Sequence, residues 1–174
     1  MAHSKKPNAI ALLVGDHRKV AGLFKKFEKA KSAQKGALAH EICLELSVHT
    51  TIEETLFYPA LRGKVEDSLL DEAHVEHDSA KMIIADVLAN RVTSEFYDAK
   101  VKVLSELIKH HVKEEEQRGG LFTQARKSKV DLVALREKME ASKEALSAKY
   151  KRSIPEPIIR ALGKPRVKAG KPVG

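Results

Sequence analysis

A chain of 174 residues with 43% hydrophobic and 32% charged residues is long enough for one domain burying roughly 70% of the surface its unfolded form exposes. Its apolar runs fall far short of the ~18 to 20 residues of a membrane span, and Met1-Ala-His-Ser-Lys-Lys-Pro7 contains no hydrophobic signal core, so a soluble cytoplasmic protein is expected. The single cysteine, Cys43, excludes an internal disulfide and a cysteine zinc cluster, and the net charge of +8 is concentrated at the C-terminal end, leaving the body close to neutral.

Residues 1–8 read as a disordered N-terminus, and residues 9–150 as a helical bundle with an appended helix. Polar, Gly and Pro clusters near Ser32–Gly36, Gly63–Ser68, Asn90–Ser94 and Arg118–Gly120 punctuate long segments that contain little proline, a helical layout. The first segment spaces Ile10, Leu13, Val14, Val20, Phe24 and Phe27 by three and four residues, the stripe of an amphipathic helix. Ile42, Leu46, Leu56 and Phe57 mark the second, Leu70, Ala73, Ala80, Ile84 and Leu88 the third, and Tyr97, Val101, Leu104 and Ile108 the fourth. Four such helices with short turns predict an all-α, antiparallel up-down four-helix bundle. A fifth helix, about Lys129 to Lys149, carries Leu132, Leu135, Met139 and Leu146 and is expected to pack outside. Residues 151–174 read as a flexible basic tail rich in Pro and Gly. From Lys149 onward eight Lys/Arg stand against Glu156 alone, while Ile154, Ile158, Ile159 and Leu162 leave room for a short docked segment at its beginning.

Histidines interrupt the apolar stripes. His17 follows Leu13 by four, His49 follows Leu46 by three, His77 lies midway between Leu70 and Ile84, and His111 follows Ile108 by three. Each core helix thereby aims one imidazole inward. Glu53 comes four after His49 and Glu115 four after His111, so each pair shares a helix face. Counted from their shared turns, antiparallel neighbours bring these six groups to within about one helical turn of a common depth.

A lone histidine on an apolar face is more often a hydrogen-bonded core residue than a ligand, and with eight histidines and seventeen glutamates one His-x-x-x-Glu arises about once by chance. The conjunction is the signal. Two buried glutamates need compensating positive charge, and no Lys or Arg stands on the inner stripes at that layer, so a metal centre held by His17, His49, Glu53, His77, His111 and Glu115 is expected. An imidazole and carboxylate set without thiolate in a bundle suits iron or manganese, with iron preferred.

The other histidines sort by the same test. His110 also has a glutamate four later, Glu114, but its face runs back to Val103 and Lys100, so His111 with Glu115 is the inward pair. His74, three before His77, reads as a surface residue or a seventh ligand, the surface being favoured. His3 and His40 read as exposed, and Cys43 as a small buried residue. Tyr58 reads as a packing or capping residue that could reach the layer. Gly15 and Gly22 suggest a close backbone approach near His17.

The residues in this order resemble the hemerythrin-like proteins with the HHE cation-binding domain. The matching stretches are Asp16-His17, His49-Thr-Thr-Ile-Glu53-Glu54 with Leu56-Phe57-Tyr58-Pro59, Val75-Glu76-His77, and His111-Val-Lys-Glu-Glu115-Glu116 with Leu121-Phe122, over about residues 8 to 127. The resemblance implies two non-haem irons bridged by Glu53, Glu115 and an oxygen, and capped by the four histidines. Oxygen-carrying members place a histidine four before the third-helix ligand. Ala73 stands there, which resembles the histidine-poorer bacterial class.

Open coordination positions on reduced iron invite dioxygen, peroxide or nitric oxide, so a protein that binds, senses or detoxifies these species is expected. No acid–base or nucleophilic constellation stands apart from the metal layer, and any redox activity toward peroxide or nitric oxide would be the cofactor's own. The alternative is an iron-responsive interaction module whose tail meets nucleic acid or an acidic partner. No aromatic or Arg pattern in the tail suggests base reading, which favours a solubility role. No membrane partner is expected.

Overall fold

A computed structural model describes residues 7–162, and every regular element among them is helical. The chain runs α1 (Ala9–Lys29), α2 (Ser32–Ile52), a π-helical turn (Glu53–Phe57), α3 (Tyr58–Leu61), α4 (Asp67–Ala89), α5 (Tyr97–Glu116), α6 (Leu121–Lys127) and α7 (Leu132–Tyr150). The long helices α1, α2, α4 and α5 form the expected bundle, with α1 beside α2 and α5, and α4 beside the other two. The fifth helix, α7, packs on the outside against α1 and α2. Its N-cap Asp131 accepts from the amides of Val133 and Ala134, and Asn8 caps α1 by accepting from Ala11, in each case satisfying orphan donors of the first turn. No helix among the described residues is long and apolar enough to cross a membrane.

Two apolar clusters divide the core. One holds Ile10, Leu13, Ile52, Phe57, Leu61, Leu70, Leu121, Phe122 and Met139; the other holds Val20, Phe24, Phe27, Ile42, Leu46, Ile84, Val101 and Leu104. His17 falls between them on α1, His49 on α2 and His77 on α4, with the clusters met in alternating order as the chain reverses. A polar layer thus crosses the bundle between two dry ends.

The structure corrects several expectations. The first break is at Ala30–Lys31, so the polar stretch from Ser32 to Gly36 is the first turn of α2. Leu88 is exposed and Val87 takes the buried position after Ile84, because a 3.6-residue period favours a spacing of three there. Gly15 and Gly22 mark no close approach, since a Cβ on either would meet nothing within 4 Å. The close approach is at Gly120, where a Cβ would lie 2.1 Å from the Glu114 carbonyl oxygen and 3.1 Å from that of Glu115. Gly119 beside it has a φ of +86°, which favours glycine. This pair folds the chain back under α5 and seats Leu121 and Phe122 in the core. Gly120→Ala should therefore destabilise the fold by about 2–4 kcal/mol, read as a fall in thermal midpoint; an unchanged midpoint would show that α6 can shift freely.

Beyond α7, residues 151–162 continue along the bundle. Ile154 packs against the core. The Asp78 carboxylate accepts from the amides of Arg160, Ala161 and Leu162 at 2.8, 2.6 and 3.2 Å, and Lys81 donates to the Ile158 carbonyl at 3.2 Å. His3 and the rest of 1–6, and the basic tail from 163 to 174, lie outside the described residues.

Candidate metal centre

The four inward histidines and two glutamates share one layer. His17 comes from α1, His49 from α2, Glu53 from the first position of the π turn, His77 from α4, and His111 and Glu115 from α5. All six residues are buried, Glu53 completely. Two sets have their donor atoms close enough to hold one ion each, His17 with His49 and Glu53, and His77 with His111 and the same Glu53. Glu53 Oε2 lies 3.1 Å from His49 Nε2 and 3.3 Å from His77 Nε2. Glu115 Oε2 lies 3.4 Å from His17 Nε2 and 3.6 Å from His111 Nε2. Each carboxylate therefore spans the two histidine pairs, touching one member of each.

Every imidazole turns Nε2 inward because its Nδ1 is held by a carboxylate of a neighbouring element. His17 Nδ1 meets Glu116 at 2.8 Å, His77 Nδ1 meets Glu54 at 3.0 Å, His111 Nδ1 meets Glu76 at 2.7 Å, and His49 Nδ1 meets Asp16 at 3.5 Å. Each of these carboxylates is the sequence neighbour of an inward group. One residue along a helix is about 100° of rotation, so a side chain beside an inward one reaches across to the next helix. The doublets Asp16-His17, Glu53-Glu54, Glu76-His77 and Glu115-Glu116 close a ring around the bundle. Such carboxylate–histidine pairs fix ring orientation and raise ligand basicity. Sequence periodicity passed over them because it sorts residues only into inward and outward. The doublets were the available signal.

Tyr58, expected chiefly to pack or cap, instead brings its hydroxyl to the layer. It lies 3.2 Å from Glu115 Oε1, 3.4 Å from Glu53 Oε2 and 3.3 Å from His77 Nε2. In an α-helix a residue five after Glu53 would point about 140° away from it. The π turn restores the shared face, with the Tyr58 amide donating to the Glu53 carbonyl. Pro59 follows directly; its missing N–H and its ring disrupt the i→i−4 pattern there. Burial, with Glu115 and Glu53 nearby, pushes the Tyr58 phenol well above its ordinary value.

The electrostatics call for a cation. Burial and the facing Glu53 raise Glu115 to about 8. Burial opposes ionisation of Glu53 as well, but His49 and His77 hold it well below the carboxylate range. For His49, burial is outweighed by Glu53 and Asp16 and the imidazole rises to about 10, whereas burial and the neighbouring His49 lower His17 to about 4. Protons thus stand where a cation would. His17 Nε2, His49 Nε2, Glu53 Oε1 and Glu115 Oε2 have no hydrogen-bond partner although all are buried, which is unusual for native polar atoms. Among the described residues no Lys or Arg pairs with Glu53 or Glu115. Lys81, buried in α4, reaches Glu54 at 2.6 Å and Asp78 at 3.2 Å, outside the layer; Lys143 pairs with Asp16. Four inward ligand atoms without partners and two facing carboxylates that no Lys or Arg neutralises fit a metal centre of nitrogen and oxygen ligands.

The remaining residues fall around this centre. His74 is half-buried, edge-on to the Tyr58 ring with centroids 5.4 Å apart, and belongs to neither donor set. His110 points outward with a 60% exposed side chain, and His40 is exposed. Cys43 is buried, its thiol raised by burial to about 12. Phe122 stacks on His17 at 5.7 Å with rings nearly parallel, walling the layer from below.

Known proteins are similar to this chain. The crystal structure of a Hemerythrin HHE cation binding domain-containing protein, the Rv2633c homolog from Mycobacterium kansasii, aligns with a TM-score of 0.72 at 26% identity, covering 89% of this chain and 99% of that one. A DNA nickase of Nostoc sp. (strain PCC 7120 / SAG 25.82 / UTEX 2576) is 26% identical over 102 residues, 58% of this chain, and the chain spans 29% of that protein's length. Residues 8–118, from the cap of α1 to just past Glu116, match the Hemerythrin HHE cation binding domain. A bundle whose polar layer is built from that stretch is the family's own, and the chain belongs to the hemerythrin HHE cation-binding family.

Proposed function

We propose that the chain is a non-haem diiron protein that binds, senses or turns over dioxygen, peroxide or nitric oxide. One observation carries the reading: two histidine pairs are spanned by the same two carboxylates, Glu53 touching His49 and His77, and Glu115 touching His17 and His111. A single ion would not require both carboxylates to be shared in this way. His17, His49, Glu53, His77, His111 and Glu115 are the proposed ligands, and Tyr58 stands within reach as a hydrogen-bond donor to either carboxylate. Imidazoles with shared carboxylates inside a four-helix bundle support iron over zinc, which usually takes fewer ligands in a tetrahedral array. Bound iron would supply one-electron redox chemistry and open positions for a small ligand.

The chain's own residues limit what reaches the layer. A cavity of about 10 Å³ borders all four imidazoles and is closed by Val20, Leu46, Ile108 and Val112, room for about one water-sized body. So small a space supports a ligand of few atoms, and its apolar side suits an uncharged one. The test is the optical spectrum of iron-loaded protein after reduction and separate exposure to air, peroxide and nitric oxide. A reversible change with at least one of them is expected; a spectrum indifferent to all three would contradict the reading.

The alternative, an interaction module acting through its basic tail, draws on the charge from Lys149 onward, and the nickase relative is by its name a protein that acts on DNA. Labelled DNA titrated with full-length protein and with a chain ending at 162 separates the two. Equal affinity at moderate salt would set the tail reading aside.

A further inference from the structure

We propose that Glu76, His110 and Glu114 form an outer cation site that captures a divalent first-row metal ion at the mouth of a cleft leading to His111 and Glu115. The proposal rests on the reading of the inner layer as a metal centre. His110 and Glu114 are a second His-x-x-x-Glu pair, one residue out of phase with His111 and Glu115. About 100° of helix rotation separates the two pairs, so one faces the core and the other the rim of the α4–α5 face. Glu76 on α4 stands in the same relation to His77.

The three outer side chains offer donor atoms that all lie within 4.8 Å of one another. His110 Nε2 is 3.3 Å from Glu76 Oε1 and 3.4 Å from Glu114 Oε1. Two ligands bound to one ion at about 2.1 Å lie about 3 to 3.5 Å apart, so the spacing suits ligation as it stands. The side chains of His110, Glu114 and Glu76 are 60%, 31% and 18% exposed, which leaves room for water to complete a labile coordination shell.

What separates this cluster from an ordinary surface ion pair is what lies behind it. A cleft of about 10 Å³ runs between α4 and α5, with Glu76 and Glu114 at its outer side, Ala73 and Leu121 on its walls, and His111 and Glu115 at its inner side. Glu115, which lines the cleft, has a buried Oε2 without a hydrogen-bond partner. Glu76 links the two levels, with Oε1 facing His110 and Oε2 holding His111 Nδ1 at 2.7 Å. Ala73, with no side chain beyond Cβ, is one of the residues lining this cleft. Carboxylates gathered at a narrow mouth raise the local cation concentration and with it the rate of capture.

Apoprotein mixed with Co(II), used as the optical probe, tests the proposal in H110A/E114Q and in E53A/E115A. Glu76 is left intact because it also orients His111. H110A/E114Q should fill the inner centre to the wild-type spectrum and stoichiometry but about tenfold more slowly at low ionic strength, with the difference shrinking in high salt. E53A/E115A should retain one weakly held Co(II) per chain, which H110A added to that variant removes. A wild-type loading rate in H110A/E114Q would overturn the proposal and leave the inner centre intact, as would an E53A/E115A protein that takes up no Co(II). Wild-type stoichiometry and spectrum in E53A/E115A would overturn the inner-centre reading, and the capture proposal with it.

Discussion

E53A/E115A is expected to lose both tightly held ions of the inner layer while keeping its helical content. Among the described residues the two carboxylates are the only anionic groups that reach both histidine pairs, and without them four imidazoles would have to hold two buried dications with no carboxylate among the inward ligands, at a cost of many kcal/mol. The fold does not depend on them in the same way. Apolar clusters lie on both sides of the layer, and removing a charged side chain from a buried site also removes its desolvation cost. Metal analysis after anaerobic ferrous loading, paired with circular dichroism, checks both halves. Iron at wild-type stoichiometry in this variant would refute the ligand assignment.

The second large effect is a pH dependence that metal abolishes. Glu115 titrates at about 8 in the metal-free fold against 4.5 when unfolded, so the folded state binds its proton more tightly and stability falls as pH rises through that range. His49 is raised from 6.5 to about 10; its contribution is complete below 6.5 and is lost as pH climbs toward 10. Between pH 6.5 and 8 the two act in the same direction. His17, lowered to about 4, is neutral in the fold across that window and opposes the fall only near pH 6.5, where the unfolded imidazole still carries part of its proton. Metal-free protein should lose about 2–4 kcal/mol of stability from pH 6.5 to 8, which for a chain of this size is about 10 °C in thermal midpoint. Metal takes the place of these protons, so loaded protein should show a nearly flat midpoint, and loading should release protons into a weakly buffered indicator solution. A metal-free midpoint that holds steady or rises over this window would contradict the assigned electrostatics.

The parts legible in the sequence were those that periodicity controls. His17, His49, His77 and His111 stood out because each interrupts an apolar stripe, and the i,i+4 spacing tied Glu53 and Glu115 to two of them. The outer helix was likewise visible in the spacing of Leu135 and Met139. Other features depend on departures from regular geometry. Tyr58 enters the layer only because the turn from Glu53 to Phe57 is π-helical, and a reading at 3.6 residues per turn points it elsewhere. The short helix α6 is seven residues long, too brief for a stripe to register, although Gly119 and Gly120 marked its start. The carboxylates on each Nδ1 fall between the inward and outward faces, which is where a helix reaches its neighbours. Gly15 and Gly22 misled because spacing says nothing about what lies opposite.

The most direct measurement is iron per chain in wild-type protein after anaerobic ferrous loading and removal of excess metal. Two irons per chain are predicted, because Glu53 and Glu115 each bridge the same two histidine pairs. A chain that retains one iron would contradict the paired arrangement, and one that retains none would remove the metal centre from the account.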